Sequence, residues 1–156
     1  MKLAYKMEYL NPINEKTSVS LIPYSAEYQE QYKKIYNQCY HEMREALDIK
    51  PYDFIQDNTF FESGMENVFL LIDTNLDEDS EKNEIIGSVA LKEEEIDDLI
   101  VNPKFQGQGY GKQILLWALE NYKAKNIVLH VAGWNEKAIN LYKKTGFEIT
   151  ETIEIK

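Results

Sequence analysis

The period of apolar and polar positions changes several times along the chain, and each change marks an element. Residues 17–24 (TSVSLIPY) alternate and carry β-branched side chains, which predicts a strand. Residues 25–47 switch to three- and four-residue steps. Tyr28, Tyr32, Ile35, Cys39 and Met43 then share one helix face, with Ser25 placed to cap it. Pro51 interrupts that pattern, and a shorter helix is predicted over residues 53–62, with Gly64 as its stop signal. Residues 67–74 (NVFLLIDT) read as a buried strand, residues 75–84 (NLDEDSEKNE) as an exposed acidic turn, and residues 85–92 (IIGSVALK) as the hairpin partner. Residues 95–102 (EIDDLIVN) add a third strand to what reads as an antiparallel meander.

The second half has a different grammar. Residues 110–124 place Ile114, Leu115, Ala118, Leu119 and Tyr122 on one helical face. A strand follows at residues 126–132 (NIVLHVA), then a short helix at 135–145. Asn135 caps that helix, Lys143 and Lys144 sit in its last turn, and Gly146 lies just beyond. Residues 147–155 (FEITETIEI) alternate strictly and read as a strand. A meander joined to a βαβαβ half implies an α/β (α+β) fold with a mixed sheet. The 156 residues fit one domain spanning 1–156.

Composition narrows the classes. Apolar residues make up 44% and charged residues 28%, the balance of an ordinary globular chain. No run of 18 apolar residues occurs, and Lys2, Lys6 and Glu8 interrupt the first ten positions, so a cytoplasmic protein without a membrane span is expected. Cys39 is the single cysteine, which excludes an intrachain disulfide, and its spacing with Ile35 and Met43 reads as a core thiol. His41 and His130 stand far apart without ligand-like spacing, and no metal is expected. A net charge of −10 argues against nucleic acid and anionic membranes as partners. It suits a cationic substrate, and serves solubility equally well.

The chemistry-bearing stretch is NPKFQGQGYGKQ, residues 102–113, with glycines at every second position before a helix. Backbone N–H groups converge at such a junction, the helix dipole favours an anion, and missing Cβ atoms let it approach. A P-loop ending at Gly111-Lys112 requires glycine at position 106 and a hydroxyl at 113, but Gln106 and Gln113 stand there. A dinucleotide fingerprint requires glycine at 112 or 114, but Lys112 and Ile114 stand there.

Gln106-Gly107-Gln108-Gly109-Tyr110-Gly111 fits a third form, Gln/Arg-x-x-Gly-x-Gly/Ala. With its flanks, IDDLIVNPKFQGQGYGKQIL, it resembles the strand, proline turn and glycine loop of the GNAT superfamily of acetyl-CoA-dependent N-acetyltransferases. Some thirty residues on, NEKAINLYKKTGFE resembles that family's second signature, with Asn135, Ala138, Leu141, Tyr142, Gly146 and Phe147. The resemblance runs over residues 17–149 and is tightest over 96–147. It implies a mostly antiparallel twisted sheet, with helices on both faces and a splay between its two central strands.

The resemblance also implies that acetyl-CoA is the co-substrate. Its pyrophosphate would rest on Gln106, Gly107, Gln108, Gly109, Tyr110, Gly111 and Lys112, and main-chain atoms of Leu99, Ile100 and Val101 would hold its extended arm. Lys112 adds a charge there, or is merely solvated. Asn135 and Tyr142, seven residues apart on one helix, lie roughly 10 Å apart on a shared face and touch that arm at two points. The tyrosine at this place protonates the departing thiolate in many relatives. A free thiol near pKa 8.5 and a tyrosine near 10 make that transfer only mildly uphill.

An acceptor amine must lose a proton, and a carboxylate is the family's usual solution. Alternation puts Glu95 and Asp97 on one strand face, Ile96 and Asp98 on the other. Asp97 is the favoured catalytic base and Glu95 the second choice; solvated strand-end acids are the alternative. The first helices offer Tyr36, Tyr40, Tyr52, Phe54, Phe60 and Phe61 with Glu42, Glu45 and Asp53. That set suits a cationic amine, and each member also suits core or solvent.

The sequence departs from the family at its ends. One strand, rather than two, follows the Gly-Phe pair, and residues 1–16 form an N-terminal extension. The extended-looking stretch KLAYKMEYL within it is expected to add a strand beside the C-terminal one, from the same chain or a second subunit. The expected activity is direct acetyl transfer to a primary amine, a small cationic one ahead of a protein or peptide amine. A CoA-binding sensor or interaction module without catalysis is the rival. Relatives are often dimers, so a homodimer is an open expectation.

Overall fold

The computed structural model describes residues 2–74 and 83–155. The elements are β1 (Lys2–Tyr9), β2 (Ile22–Pro23), α1 (Gln29–Ala46), β3 (Val68–Asp73), β4 (Glu84–Lys92), β5 (Glu95–Val101), α2 (Tyr110–Asn121), β6 (Val128–Ala132), α3 (Glu136–Lys144) and β7 (Phe147–Ile155). The seven strands form one sheet in the order β2-β3-β4-β5-β6-β1-β7. Every neighbouring pair is antiparallel except β5–β6. Among the described residues no helix is long and apolar enough to cross a membrane.

Both faces of the sheet are covered, which explains why the central strands are apolar runs rather than clean alternations. On one face α2 and α3 bury Ile114, Leu115, Ala118 and Ile139 against Leu71, Ile86, Val89, Ile96, Leu129 and Val131. On the other, α1 buries Tyr32, Ile35 and Tyr36 against Val68, Leu70, Ile85 and Ile100. Neighbouring residues such as Leu70 and Leu71, or Ile85 and Ile86, thus enter opposite layers.

The parallel pair sets the site. β5 and β6 meet at one register position, Glu95 opposite Val128, with Val128 N donating to Glu94 O at 2.9 Å. Beyond that point the strands part, and the sheet opens toward their C-terminal ends. The far side of the gap is held by β1, which pairs with both β6 and β7 and so lies inside the sheet. Gly146 makes the return from α3 tight. Its φ is +110°, and a Cβ there would overlap Asn11 O. The carbonyl of Gly146 also accepts from the amides of Leu10 and Asn11.

Three expected elements come out differently. The strand over residues 17–24 shrinks to Ile22–Pro23. Upstream, Thr17 N donates to Glu120 Oε2, and Ser18 N donates to Gln113 Oε1. Side chains of α2 therefore satisfy the backbone that a ladder would otherwise satisfy. Ser25 opens a 3₁₀ turn (Ala26–Tyr28) instead of capping α1, and its hydroxyl lies 3.3 Å from Glu27 Oε1. The helix over residues 53–62 is a single 3₁₀ turn, Asn58–Glu62, because Asp57 caps a new start there by accepting from Thr59 N. Most of the acidic turn expected over residues 75–84 lies outside the described residues, which resume at Asn83.

Candidate active site

The glycine loop joins β5 to α2. Gly107 and Gly109 have φ of +79° and +88°, which L side chains rarely adopt, and a Cβ on either would meet nothing within 4 Å. The glycines therefore serve backbone conformation beside open space. Gln106 Nε2 donates to Val101 O at 3.0 Å and ties the loop to the end of β5. A cavity of about 400 Å³ runs along the loop, lined by Val101, Gln106, Gly109, Gly111, Leu141 and Tyr142 among others.

Lys112 also lines this groove, but its ammonium is paired with Glu15 of the N-terminal segment at 2.8 Å. Both side chains are well exposed, so the pair is worth roughly 0.2–1 kcal/mol and is easily exchanged for another anion.

A second cavity of about 190 Å³ fills the gap between β5 and β6. That is room for roughly six waters, enough for the end of an amine side chain. Leu99, Asn135, Ala138 and Tyr142 line both cavities, so the two are adjacent and share a wall. Asn102 N donates to Ile86 O on β4. Antiparallel alternation turns the peptide groups of Ile100 the same way, and those of Leu99 and Val101 toward the gap. The carbonyl of Val101 already accepts from Gln106 Nε2 and from Cys39 Sγ at 3.3 Å.

The acidic stretch of β5 is not a regular strand. Ala90 faces Asp97 and Ser88 faces Ile100, so two steps on β4 oppose three on β5. The extra residue is accommodated at Asp98, whose φ is +46°, a region aspartate tolerates better than most residues. Asp97 Oδ1 accepts from Asp98 N at 2.8 Å and holds the bulge from within. This corrects the alternation expected from the sequence. Ile96 stays in the core under α2 and α3, while Asp98 turns to α1 and accepts from Tyr40 Oη at 2.9 Å and Tyr36 Oη at 3.2 Å.

Burial raises the Asp98 carboxyl to about 6, and the neighbouring charge of Asp97 pushes the same way; the two phenol hydrogen bonds oppose them. Asp97 and Asp98 both line the cavity. Glu95 is instead engaged with His130 of β6, Oε1 to Nδ1 at 2.8 Å.

Tyr142 reaches the same cavity from α3. Burial, then the charge of Asp97, pushes its phenol up to about 12. Asn135 caps α3 through Oδ1, which accepts from Ala138 N at 3.2 Å, so contact with a ligand falls to its amide NH₂. Cys39 also lines the cavity, with its thiol raised to about 11 by burial, which keeps it protonated and poorly nucleophilic.

Of the aromatic and acidic set read from the first helices, only Tyr40 lines this cavity. Phe60 and Phe61 pack on Tyr32, Phe54 packs on Tyr36, and Asp53 and Glu45 hold His41. Two residues missed by sequence reasoning belong to the cavity. Trp134 is 54% exposed on its rim, and His130 lies on its β6 wall. A tryptophan next to the cap Asn135 was the available signal for the first. Among the described residues no three His, Cys, Asp or Glu side chains converge as metal ligands do.

A model of the Acetyltransferase (GNAT) family matches residues 27–147. Peptidyl-lysine N-acetyltransferase YjaB of Salmonella typhimurium is 33% identical over 76 residues, 49% of this chain and 51% of the relative. The thialysine N-epsilon-acetyltransferase of Mus musculus is 38% identical over 61 residues, 36% of each chain. The match with YjaB thus spans about half of that relative's length. A solved GNAT-family acetyltransferase from Colwellia psychrerythraea superposes with a TM-score of 0.70 at 11% identity, over 96% of this chain and 53% of that one. At that identity the likeness concerns the fold alone.

Proposed function

Because this chain belongs to the acetyltransferase (GNAT) family, we propose that it transfers an acetyl group from acetyl-CoA directly to a primary amine. The observation that carries this reading is the adjacency of the glycine-loop groove and the cavity in the β5–β6 gap, which share four lining residues, with carboxylates and Tyr142 around the inner one. The groove suits an extended anionic donor, since its open glycines leave room at the backbone and Lys112 can exchange Glu15 for a phosphate. Peptide groups of Leu99 and Val101 face the gap that the donor's arm would enter. One N–H there would polarise the thioester carbonyl.

The acceptor end favours a cationic amine. Asp97 and Asp98 line it, Tyr40 and Trp134 flank it, and among the described residues no lysine or arginine appears in its lining. The named relatives act on peptidyl-lysine and on thialysine, both of which present a primary amine on a flexible stem. We take a lysine-like amine as the acceptor class, small molecule or peptide.

In the step itself the amine nitrogen forms the N–C bond as the C–S bond breaks. The aspartate pair accepts the nitrogen's proton, and Tyr142 donates a hydrogen bond to the departing sulfur. A phenol near 12 facing a thiol near 8.5 makes complete proton transfer cost about 5 kcal/mol. Tyr142 therefore stabilises the thiolate charge more than it delivers a proton outright, a steeper balance than an unperturbed tyrosine would give.

The test is acetyl-CoA turnover over a panel of a lysine peptide, thialysine and a polyamine, repeated with Tyr142→Phe. Amide formation that falls by about tenfold or more in the variant supports the reading. Saturable acetyl-CoA binding without any amide would favour a binding module, and absence of binding would end the proposal.

A further inference from the structure

Sequence reasoning favours Asp97 as the base, yet the two carboxylates are held in opposite ways. Asp97 is exposed, and its Oδ1 accepts the amide of Asp98. Asp98 is largely withdrawn from solvent, and its Oδ1 accepts two phenols from successive turns of α1. Tyr36 and Tyr40 are four residues apart, so they rise from one helix face, and their rings pack at 4.7 Å between centroids. Tyr36 is further wedged by Tyr32 and Phe60 at 5.8 and 5.3 Å. Two hydroxyls so fixed can reach one oxygen only because the bulge turns Asp98 out of strand alternation.

Resting on the acetyl-transfer reading, we infer that Tyr40 and Tyr36 are positioning residues that hold the Asp98 carboxylate in the sheet gap as the group that takes the acceptor's proton. The two hydrogen bonds occupy Oδ1, so Oδ2 is the oxygen left to receive the proton. Asp97 then plays a different part, bracing the bulge and biasing the charge of its neighbour. Chemically the clamp solves a specific problem. An unassisted carboxylate at this depth is protonated near neutrality and unable to act as a base. Phenol donors favour its ionised form and leave it basic enough to matter.

The groups that share this environment are Asp97 and Glu95 on β5, Tyr32, Tyr36, Cys39 and Tyr40 on α1, His130 on β6 and Tyr142 on α3. Burial raises the phenols and the thiol, so these stay protonated through the neutral range. Single substitutions separate the contribution of Asp98 from that of its neighbours.

The experiment follows kcat/KM for a lysine-bearing peptide against pH at saturating acetyl-CoA. Removing a donor to the carboxylate should move the acid limb upward, by about one pH unit or more for Tyr40→Phe and by less for Tyr36→Phe. Asp97→Asn keeps an oxygen for the bulge but loses a charge, so the limb should move down. Asp98→Asn should remove the limb and lower the rate by about a hundredfold or more. A limb that stays put in Tyr40→Phe while the rate falls would reduce the tyrosine to a structural part and overturn the inference. So would an Asp98→Asn enzyme that keeps both limb and rate. If Tyr40→Phe folds poorly, Tyr36→Phe carries the same test.

Carboxyl carbon-13 NMR of Asp98 reads the same displacements without turnover, and an unshifted titration in both tyrosine variants also overturns the clamp. Shifted titrations in a protein that acetylates no amine would instead overturn the transfer reading, and with it the proton-acceptor role of Asp98.

Discussion

The groove beside the glycine loop and the cavity in the sheet gap meet at four residues, yet they are made of different material. The groove is a backbone device. Two left-handed glycines, a helix start and the peptide groups at the end of β5 form it, and Lys112, one of two lysines in its lining, is lightly held by Glu15. The cavity is a side-chain device. Its carboxylates, phenols, tryptophan and histidine come from α1, β5, β6, α3 and the turn between the last two, which only the folded sheet brings together. Backbone devices announce themselves in sequence as glycine spacing. Side-chain devices assembled from distant elements do not.

The largest effect that would sharpen this contrast is expected at Asp98. Beyond its loss of activity, Asp98→Asn should stabilise the fold. The carboxyl sits near 6 in the folded protein, above the ordinary value of about 3.9 for an unfolded aspartate, so ionisation disfavours the fold. That penalty is fully present above pH 6 and disappears as pH falls toward 4. The gain should be about 1–3 kcal/mol at pH 7 and near zero at pH 4, read from urea unfolding at both pH values. An equal gain at both would mean that the carboxylate is not strained by burial.

Next comes the groove. Gly109→Val forces a β-branched residue to φ +88° in the loop. The KM for acetyl-CoA should rise by about tenfold or more while kcat for bound substrates changes little. A variant that instead lost kcat alone would place the loop in the chemistry and erase the distinction drawn above. Trp134→Ala tests the other end. Loss of an aromatic wall should raise the KM for a lysine peptide by about three- to tenfold and leave the KM for acetyl-CoA unchanged. Smallest is Glu15→Gln, which frees Lys112. Affinity for CoA, measured by calorimetry, should improve by less than about fivefold, and the difference should fade in high salt.

This contrast also explains what was legible beforehand. β3, β4, β7, α2 and α3 carry period or capping signals strong enough to place them within a few residues, and the open β5–β6 pair follows from the resemblance of residues 96–147. Residues 17–24 alternate as a strand should, but Gln113 and Glu120 satisfy their backbone from α2, a partnership invisible in local pattern. Residues 53–62 have a helical look that Asp57 resets by capping its own short turn. In the site, Gly107 and Gly109 line the groove and Tyr142 lines both cavities.

Alternation alone assigns Asp98 to the wrong face. Strict period-two alternation has no room for a bulge, and the bulge depends on Asp97 bonding the next amide. His130 escapes a sequence reading because nothing near it in sequence marks a cavity wall, and Trp134 is marked only by its place next to the cap Asn135.

The acetyl-transfer account itself is tested most directly by one product assay. The protein is mixed with acetyl-CoA and a lysine-bearing peptide at neutral pH, and amide and free CoA are quantified together by mass spectrometry, with Asp98→Asn in parallel. The account predicts amide and CoA in equal amounts from the wild type, and about a hundredfold less of both from the variant. Free CoA without amide would contradict it, whereas equal amide from both proteins would keep the transfer and overturn the role of Asp98.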